Sequence, residues 1–472
     1  MLQIYLKGHD NYYGIADVVR AFFGKTVEDR ENGRVYCECA PDVTLTSVIE
    51  EGGISRCFSD DGKTDCKTTP VTDPVSVKRE VKRSAYLAMV KVSGREIPWG
   101  CLTGIRPTLV AGEEDDPKEL SDKYYVRPDK AELAVRTGRN EQRLLELVPP
   151  EDINIYVGIP FCPSRCEYCS FVSSDISHHM GRLPAYLDAL EKEIKTVAPH
   201  LRRKVSTIYL GGGTPTVFDD DGFRRLMDII TDNIAITDNT EFTVEAGRPD
   251  TITEAKLRAM KDKGVKRICI NPQTLNSGTL QKLNRRHTAD DFRNVFRMAG
   301  ETGFGIINTD LIAGLKYEND TDFIDSVKGI AELRPANVTI HTLYKKRRAA
   351  ISAEDVLTED DGRVDRAVSE GYRILEENGY IPYYMYRQKD TGHGLENTGF
   401  ALPGTECLYN VAMMTDARDI LSFGAGGMSK RVFGQEGNKF RVERCPCIKD
   451  VIGYMNGAEE MAARKIDFFD IM

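Results

Sequence analysis

From residue 153 onward, the chain alternates short runs of β-branched and apolar residues with longer segments whose apolar residues recur at helical spacing. The short runs predict six strands, at residues 153–159, 207–210, 241–245, 267–270, 305–311 and 337–341. The longer segments predict six helices, at residues 183–201, 222–234, 253–263, 289–302, 321–333 and 363–378. Six such units predict an α/β fold, in which a parallel sheet covered by helices curls into an open (βα)6 partial barrel.

Residues 1–150 follow a different pattern, which predicts a separate α+β domain of unassigned role. Alternation over residues 3–7 and 34–39 predicts strands, and apolar residues at helical spacing predict a helix between them. A longer amphipathic helix is expected at 75–92. Its basic face would carry Lys78, Arg79, Lys82 and Arg83. That face is either simply solvated or a groove for anions or RNA. Pro149-Pro150 indicates a linker to the barrel.

The composition describes an ordinary globular protein of two or three domains, with 472 residues, 41% hydrophobic and 29% charged. A net charge of -9 argues against a general nucleic-acid binder, so we expect no nucleic-acid partner. The N-terminus lacks the pattern of a secretory signal, and no apolar run approaches the roughly 20 residues of a membrane span. We therefore expect a cytoplasmic protein without a membrane partner. Twelve cysteines are sparse for this length and fit reduced thiols.

Three cysteines, Cys162, Cys166 and Cys169, follow the first predicted barrel strand at the spacing C-x3-C-x2-C. Three thiolates from one short loop can hold a four-iron, four-sulfur cluster and leave one iron open to another ligand. The alternative is a zinc site with His178 or His179 as the fourth ligand. Cys445-Pro446-Cys447 is a weaker candidate for a second metal.

Other candidate residues stand where successive predicted strands end. The second strand leads into a glycine-rich turn that contains Gly212, Gly213 and Thr214. Glu245, Gln273 and Asp310 follow at the ends of later strands. Because the carboxyl ends of parallel strands share one rim, we expect these residues to face the cysteine loop. Glycines there would let the backbone approach a ligand closely.

These motifs together resemble the radical S-adenosylmethionine (SAM) enzymes of the oxygen-independent coproporphyrinogen III oxidase group. The resemblance covers residues 151 to about 430 and rests on Tyr156-Val157-Gly158-Ile159-Pro160-Phe161-Cys162, Gly211-Gly212-Gly213-Thr214-Pro215-Thr216, Asp310-Leu311-Ile312-Ala313-Gly314-Leu315 and Cys407-x2-Asn410. Two further stretches are similar to the coproporphyrinogen dehydrogenase HemZ branch. They are Leu102-Thr103-Gly104-Ile105-Arg106-Pro107-Thr108 and Tyr383-Tyr384-Met385-Tyr386-Arg387-Gln388-Lys389. The resemblance implies a barrel at residues 151–385 and a family-specific C-terminal extension at 386–472.

The resemblance also implies two cofactors and their contacts. Cys162, Cys166 and Cys169 would bind the 4Fe-4S cluster, whose open iron would take SAM. Tyr156 would lie beside SAM, with Gly212, Gly213 and Thr214 at its methionine end. Glu245, Gln273 and Asp310 would supply polar contacts, since carboxylates and amides can orient an ammonium, a carboxylate or a ribose diol.

The implied reaction is oxidative decarboxylation of coproporphyrinogen III propionates to vinyl groups, which gives protoporphyrinogen IX in anaerobic haem biosynthesis. It requires an electron donor such as flavodoxin or ferredoxin. The sequence departs from the family at two places, since Ser170 replaces a further cysteine and Gly158 replaces a histidine. Two alternatives therefore stay open: a haem-binding or haem-delivery protein with His341 as axial ligand, and another radical SAM tetrapyrrole enzyme, such as a methyltransferase or a haem-opening enzyme.

Overall fold

The computed structural model describes residues 1–169, 174–343, 362–388, 394–436 and 439–469. The chain forms two compact units, one of Met1–Arg136 with Tyr386–Glu396 and one of Thr137–Met385 with Asn397–Met472. The three-part division expected from the sequence stays a prediction. None of the described helices combines the length and apolar character that a membrane span requires.

The first unit is built on a six-stranded mixed sheet with the order β2-β3-β1-β4-β5-β6. Its elements are β1 (Leu2–Lys7), α1 (Tyr12–Phe23), β2 (Val27–Asp29), β3 (Arg34–Cys37), β4 (Val43–Ile49), β5 (Ser55–Phe58), β6 (Asp65–Lys67), α2 (Pro74–Ser93), α3 (Pro107–Glu114), α4 (Pro117–Tyr124) and the start of α5 (Pro128–Leu145). β1 is parallel to β4, and the other pairs of this sheet are antiparallel. The apolar residues that α1, α2 and the strands share form one buried core.

Capping residues fix the ends of α2. The Asp73 side chain accepts hydrogen bonds from the backbone amides of Val75 and Ser76, and Pro74 occupies the first turn. Gly94 ends the helix in the left-handed conformation. The helix predicted at 75–92 is therefore present with these caps at its two ends.

A buried polar cluster ties the returning segment of the first unit to its N-terminal part. Trp99 Nε1 donates a hydrogen bond to Glu396 Oε2 at 2.8 Å, and Lys130 Nζ lies 2.7 Å from Glu396 Oε1. Both partners of the Lys130–Glu396 ion pair are almost fully excluded from solvent. Such a pair is costly to break on one side because the other charge stays buried.

The second unit carries most of an eleven-stranded sheet with the order β15-β16-β14-β13-β12-β11-β10-β7-β17-β18-β19. Its strands are β7 (Ile153–Ile159), β10 (Val205–Gly212), β11 (Glu241–Gly247), β12 (Arg267–Ile270), β13 (Ile306–Ala313), β14 (Asn337–Thr342), β15 (Ile381–Arg387), β16 (Glu396–Ala401), β17 (Ile420–Phe423), β18 (Met428–Glu436) and β19 (Lys439–Pro446), with the short parallel pair β8 (Phe161–Cys162) and β9 (Ser174–Asp175) apart. Its helices are α6 (Leu183–Val197), α7 (Asp220–Thr231), α8 (Glu254–Asp262), α9 (Ser277–Lys282), α10 (Ala289–Glu301), α11 (Asp320–Leu333), α12 (Arg363–Glu377), α13 (Leu408–Thr415) and α14 (Val451–Phe469).

The six predicted barrel strands are all present and pair side by side in chain order, each parallel to the next. The α/β class with a parallel sheet is therefore confirmed. The sheet also continues past both ends of this set: β17 lies parallel to β7, and β16 lies antiparallel to β14. The C-terminal region thus contributes sheet strands, which the sequence pattern did not predict.

Candidate functional site

One cavity of the second unit brings most of the predicted site residues together. Cys162, Cys166 and Cys169 line it with Gly212, Gly213, Thr214, Glu245 and Gln273. Tyr156 and Asp310 do not line it. No three His, Cys, Asp or Glu side chains of the described residues converge on a point where a single metal ion would sit.

The cysteine loop is held in place by Asn284, which lies just beyond α9. Ser164 Oγ donates to the Asn284 carbonyl at 2.9 Å, and Asn284 Nδ2 donates to the Arg165 carbonyl at 3.0 Å. Within the loop, the Cys169 amide donates to the Cys166 carbonyl at 3.1 Å. These hydrogen bonds fix the turn that follows β8, so the three thiols stay on one side of the cavity.

The glycine turn at the end of β10 packs directly against the cysteine loop. The Gly213 amide donates to the Ile159 carbonyl at 2.6 Å. A Cβ on Gly213 would lie 2.4 Å from the Phe161 carbonyl oxygen and 2.9 Å from Cys162 Sγ. Gly212 has a φ of +111°, a region that side chains rarely adopt. The turn therefore requires glycine at both positions.

Next to it, Thr214 faces the first cysteine. Its hydroxyl lies 3.7 Å from Cys162 Sγ, and its amide donates to the Phe161 carbonyl at 2.7 Å. The Thr214 side chain is almost fully buried.

Glu245 and Gln273 add polar groups to the lining of the cavity. Burial and the nearby charge of Asp310 raise the pKa of Glu245 to about 8. Gln273 has a φ of +70°, and its amide donates to the Asp310 carbonyl at 3.0 Å. The buried Gln273 Oε1 has no hydrogen-bond partner, which is costly unless a ligand donates to it.

Tyr156 and Asp310 do not line the cavity, but both interact electrostatically with Glu245. The Tyr156 ring stacks on Tyr209 and on Tyr409, in both cases with centroids 6.3 Å apart. Burial raises the pKa of Tyr156 above its usual range, and the charge of Glu245 adds to this effect. Asp310 Oδ2 lies 3.7 Å from His341 Nε2.

Two buried arginines that the sequence pattern did not single out approach Cys166. Arg248 Nη1 donates to Ser164 Oγ at 2.8 Å and lies 3.8 Å from Cys166 Sγ. Arg285 Nη1 donates to Tyr168 Oη at 2.7 Å and lies 4.0 Å from the same sulfur. The only sequence signal for Arg248 is its place three residues after Glu245, at the end of a predicted strand.

The side chains that line or approach the cavity fit an iron–sulfur cluster with a bound amino acid. Three thiols from one loop match a cluster with one open iron, and the two guanidinium groups offset the negative charge of the thiolates. The unsatisfied Gln273 oxygen and the Glu245 carboxyl are acceptors for an ammonium group. The absence of side chains in the glycine turn lets its backbone pack directly against the cysteine loop beside Cys162.

Residues 156–330 match the family model of the radical SAM superfamily. The protein named oxygen-independent coproporphyrinogen-III oxidase-like protein HemZ, from Bacillus subtilis strain 168, is 34% identical over 82% of this chain and 80% of its own length. The chain belongs to the HemZ-like family of radical SAM proteins. Its cofactors are therefore a 4Fe-4S cluster and SAM.

More distant relatives of this radical SAM protein carry two different names. The haem chaperone HemW of Haemophilus influenzae is 27% identical over 68% of this chain and 80% of its own length. The crystal structure of coproporphyrinogen III oxidase HemN from Escherichia coli superposes with a TM-score of 0.54 at 24% identity, over 68% of this chain and 73% of that one. The likeness to HemN shows that the fold is of the radical SAM type.

Proposed function

We propose that this protein oxidatively decarboxylates propionate side chains of coproporphyrinogen III to vinyl groups, and so forms protoporphyrinogen IX. For each vinyl group, one propionate would lose carbon dioxide, a hydrogen atom and one electron. The hydrogen atom would pass to the adenosyl part of SAM, which leaves as 5′-deoxyadenosine with methionine, and the electron would pass to an external one-electron acceptor such as an oxidised flavodoxin or ferredoxin. When bound, the cluster and SAM supply hydrogen-atom abstraction, started by one-electron reduction of the sulfonium. The observation that carries the proposal is the 34% identity to the oxidase-like protein HemZ across 82% of the chain.

The residues of the cavity have distinct roles in this proposal. Cys162, Cys166 and Cys169 hold the cluster. The backbone of Gly212, Gly213 and Thr214 meets the methionine end of SAM. Glu245, Gln273 and Asp310 orient its ammonium, carboxylate and ribose groups, and Tyr156 lies beside it. The catalytic work of the chain is to fix these groups and to exclude water from the reacting centre.

The test is an anaerobic assay with reconstituted cluster, SAM and coproporphyrinogen III. Reduced flavodoxin or ferredoxin serves as the electron donor, and vinyl products are measured by mass spectrometry. The Cys166→Ala protein is the inactive control. If methionine and 5′-deoxyadenosine accumulate while the porphyrinogen is unchanged, the substrate is wrong. Another radical SAM tetrapyrrole reaction, such as methyl transfer or haem opening, then takes its place.

A second candidate function, haem delivery, is favoured by the similarity to haem chaperones over 68% of the chain. His341 at the end of β14 is its candidate axial ligand, because its side chain is 28% exposed. A haem titration followed by absorbance tests it. A stoichiometric haem complex that is lost in His341→Ala would support haem delivery. The absence of such a complex in the wild type would exclude this function.

A further inference from the structure

A second cavity, of about 550 Å³, is lined by described residues that all belong to the first unit. It is bounded by the first turns of α1, by one face of α2, and by the segment between α2 and α3. Its volume falls in the range of small-molecule sites, roughly 300–1,000 Å³. The basic face of α2 and the Leu102–Thr108 stretch, which are separate features of the sequence, meet at this cavity.

The charged side chains that line the cavity are mostly cationic. Lys78, Arg79 and Lys82 come from two adjacent turns of α2. Asp17, the one carboxylate among the described lining residues, lies 2.5 Å from Arg20 Nη1, which offsets its charge. In a chain of net charge -9, such a concentration of cations attracts anions.

The carboxylate of Glu80, next to Arg79 in α2, is shared between two arginines. Glu80 is buried and contacts both Arg79, at 3.3 Å, and Arg83, at 3.0 Å. One carboxylate is thus shared between two guanidinium groups, and Lys78 and Lys82 add two further charges.

The N-terminus of α1 adds to the positive potential. Asn11, Tyr13, Gly14 and Asp17, from its cap and first two turns, line the cavity. Asn11 Oδ1 accepts from the Gly14 amide at 3.2 Å, so the helix begins at the cavity wall. The positive end of the helix dipole therefore acts together with the three cations.

Large apolar side chains stand exposed at the same place. Tyr13 is 55% exposed and Ile105 is 45% exposed, and both line the cavity. Exposed side chains of this size next to a cationic wall suit a ligand that has an apolar or planar body and anionic arms.

The loop that carries Ile105 is held by hydrogen bonds within the unit. Lys82 Nζ donates to Thr103 Oγ1 at 2.7 Å, and the Cys101 amide donates to the Tyr124 carbonyl at 2.8 Å. The Arg387 amide donates to the Ile105 carbonyl at 2.7 Å. The cavity is thus preformed, which lowers the cost of binding.

We propose that this cavity binds a small organic polyanion with a planar body. Two sources supply that chemistry: the carboxylates of a tetrapyrrole and the phosphates of a nucleotide. In either case the anionic groups meet Lys78, Arg79 and Lys82, and the ring packs on Tyr13 and Ile105.

The test is a binding titration of the full-length protein without reductant, using coproporphyrin III in one arm and ATP in the other. Lys78→Glu reverses an exposed charge of the cavity, and Lys25→Glu reverses an exposed charge of the same unit outside it. We expect one of the two ligands to bind, with affinity reduced ~tenfold or more by Lys78→Glu and unchanged by Lys25→Glu.

Binding of coproporphyrin III would identify the ligand as a tetrapyrrole with carboxylate groups, and binding of ATP would identify it as a nucleotide with phosphate groups. Equal affinities of the two variants for both ligands, or no binding of either ligand, would overturn the proposal. Tight binding of a single-stranded RNA with no binding of the small molecules would also overturn it. None of these outcomes depends on the decarboxylation assay, so the two proposals fail separately.

Discussion

Arg248 Nη1 lies 3.8 Å from Cys166 Sγ, and the same guanidinium pairs with Asp250 through two contacts of 3.0 Å. A hydrogen bond donated to a cluster thiolate stabilises the reduced cluster, which carries more negative charge than the oxidised one. In the proposed cluster site, this arginine would therefore raise the potential at which the cluster accepts an electron.

Replacing Arg248 should make the cluster harder to reduce. We expect Arg248→Gln to lower the midpoint potential by up to ~65–130 mV. A hydrogen bond to a charged group is worth about 1.5–3 kcal/mol, and for one electron 59 mV corresponds to a tenfold change, or about 1.4 kcal/mol. A redox titration followed by electron paramagnetic resonance measures it. Arg224→Gln, at an exposed arginine of α7, is the control. An unchanged potential with full iron content would contradict the prediction.

The cluster cysteines should differ sharply from the C-terminal pair. Cys166→Ala removes one of three thiolates, so the cluster should be lost or become labile. Cys445→Ala and Cys447→Ala should retain it, because both thiols are buried in the C-terminal part of the sheet and do not line the site cavity. Iron and sulfide analysis after anaerobic reconstitution measures this. Zinc bound in place of iron would support the alternative interpretation of these cysteines as a zinc site.

Stability should depend on pH through Glu245. In the folded, cofactor-free protein its pKa is about 8, whereas its usual value is 4.5. The folded state therefore holds the proton more tightly, so this group's contribution to the free energy of unfolding is full below pH 4.5 and is lost as pH rises to 8, with a slope of up to about 1.4 kcal/mol per pH unit. Glu245→Gln has no carboxyl group to titrate, so its free energy of unfolding should not show this decrease.

Urea unfolding of the cofactor-free proteins at pH 6 and pH 8.5 measures the effect. Wild type should lose stability relative to Glu245→Gln over this interval. Glu254→Gln, at an exposed carboxylate of α8, should follow wild type. Parallel curves for wild type and Glu245→Gln would show that Glu245 does not titrate in this window.

The glycine turn should not tolerate a side chain. Gly213→Ala places a methyl group 2.9 Å from Cys162 Sγ, so we expect loss of SAM binding and a labile cluster. Gly300→Ala is the matched control, because its added Cβ has no atom within 4 Å apart from its chain neighbours and the backbone of its own helix. Equilibrium dialysis with SAM and cluster absorbance measure the outcome. If Gly213→Ala bound SAM with the affinity of the wild type, the prediction would be wrong, because the turn would then accommodate the added methyl group without weakening the site.

The central sheet could be predicted because each of its strands is a short apolar run between polar segments. The bounds of β7 and β12 match the prediction, at Ile153–Ile159 and Arg267–Ile270. Asp310 was expected at a strand end but lies inside β13, since the apolar residues 311–313 continue the pairing with β14. β18 escaped prediction because Lys430 and Arg431 interrupt its apolar pattern, although its partner β19 begins only at Lys439, close by in the chain.

The site was predictable where its chemistry is local in sequence. The cysteines can be recognised from their spacing and the glycine turn from its composition. Both follow neighbouring parallel strands, so the order of the strands in the sheet brings them together. Arg248 and Arg285 gave no such signal, because an isolated arginine is usually solvated. Only the packing of distant loops buries these two side chains beside Cys166.

The Trp99–Glu396–Lys130 cluster has a genetic consequence. A polypeptide of residues 1–136 alone would keep the indole N–H of Trp99 and the ammonium of Lys130 but lose the carboxylate that accepts from both. A buried donor left without its partner costs about 1–3 kcal/mol, and more if it is charged. The N-terminal unit is thus encoded in two separate pieces of the gene. A truncation, fusion or domain exchange that preserves it has to carry the codons for Tyr386–Glu396 as well.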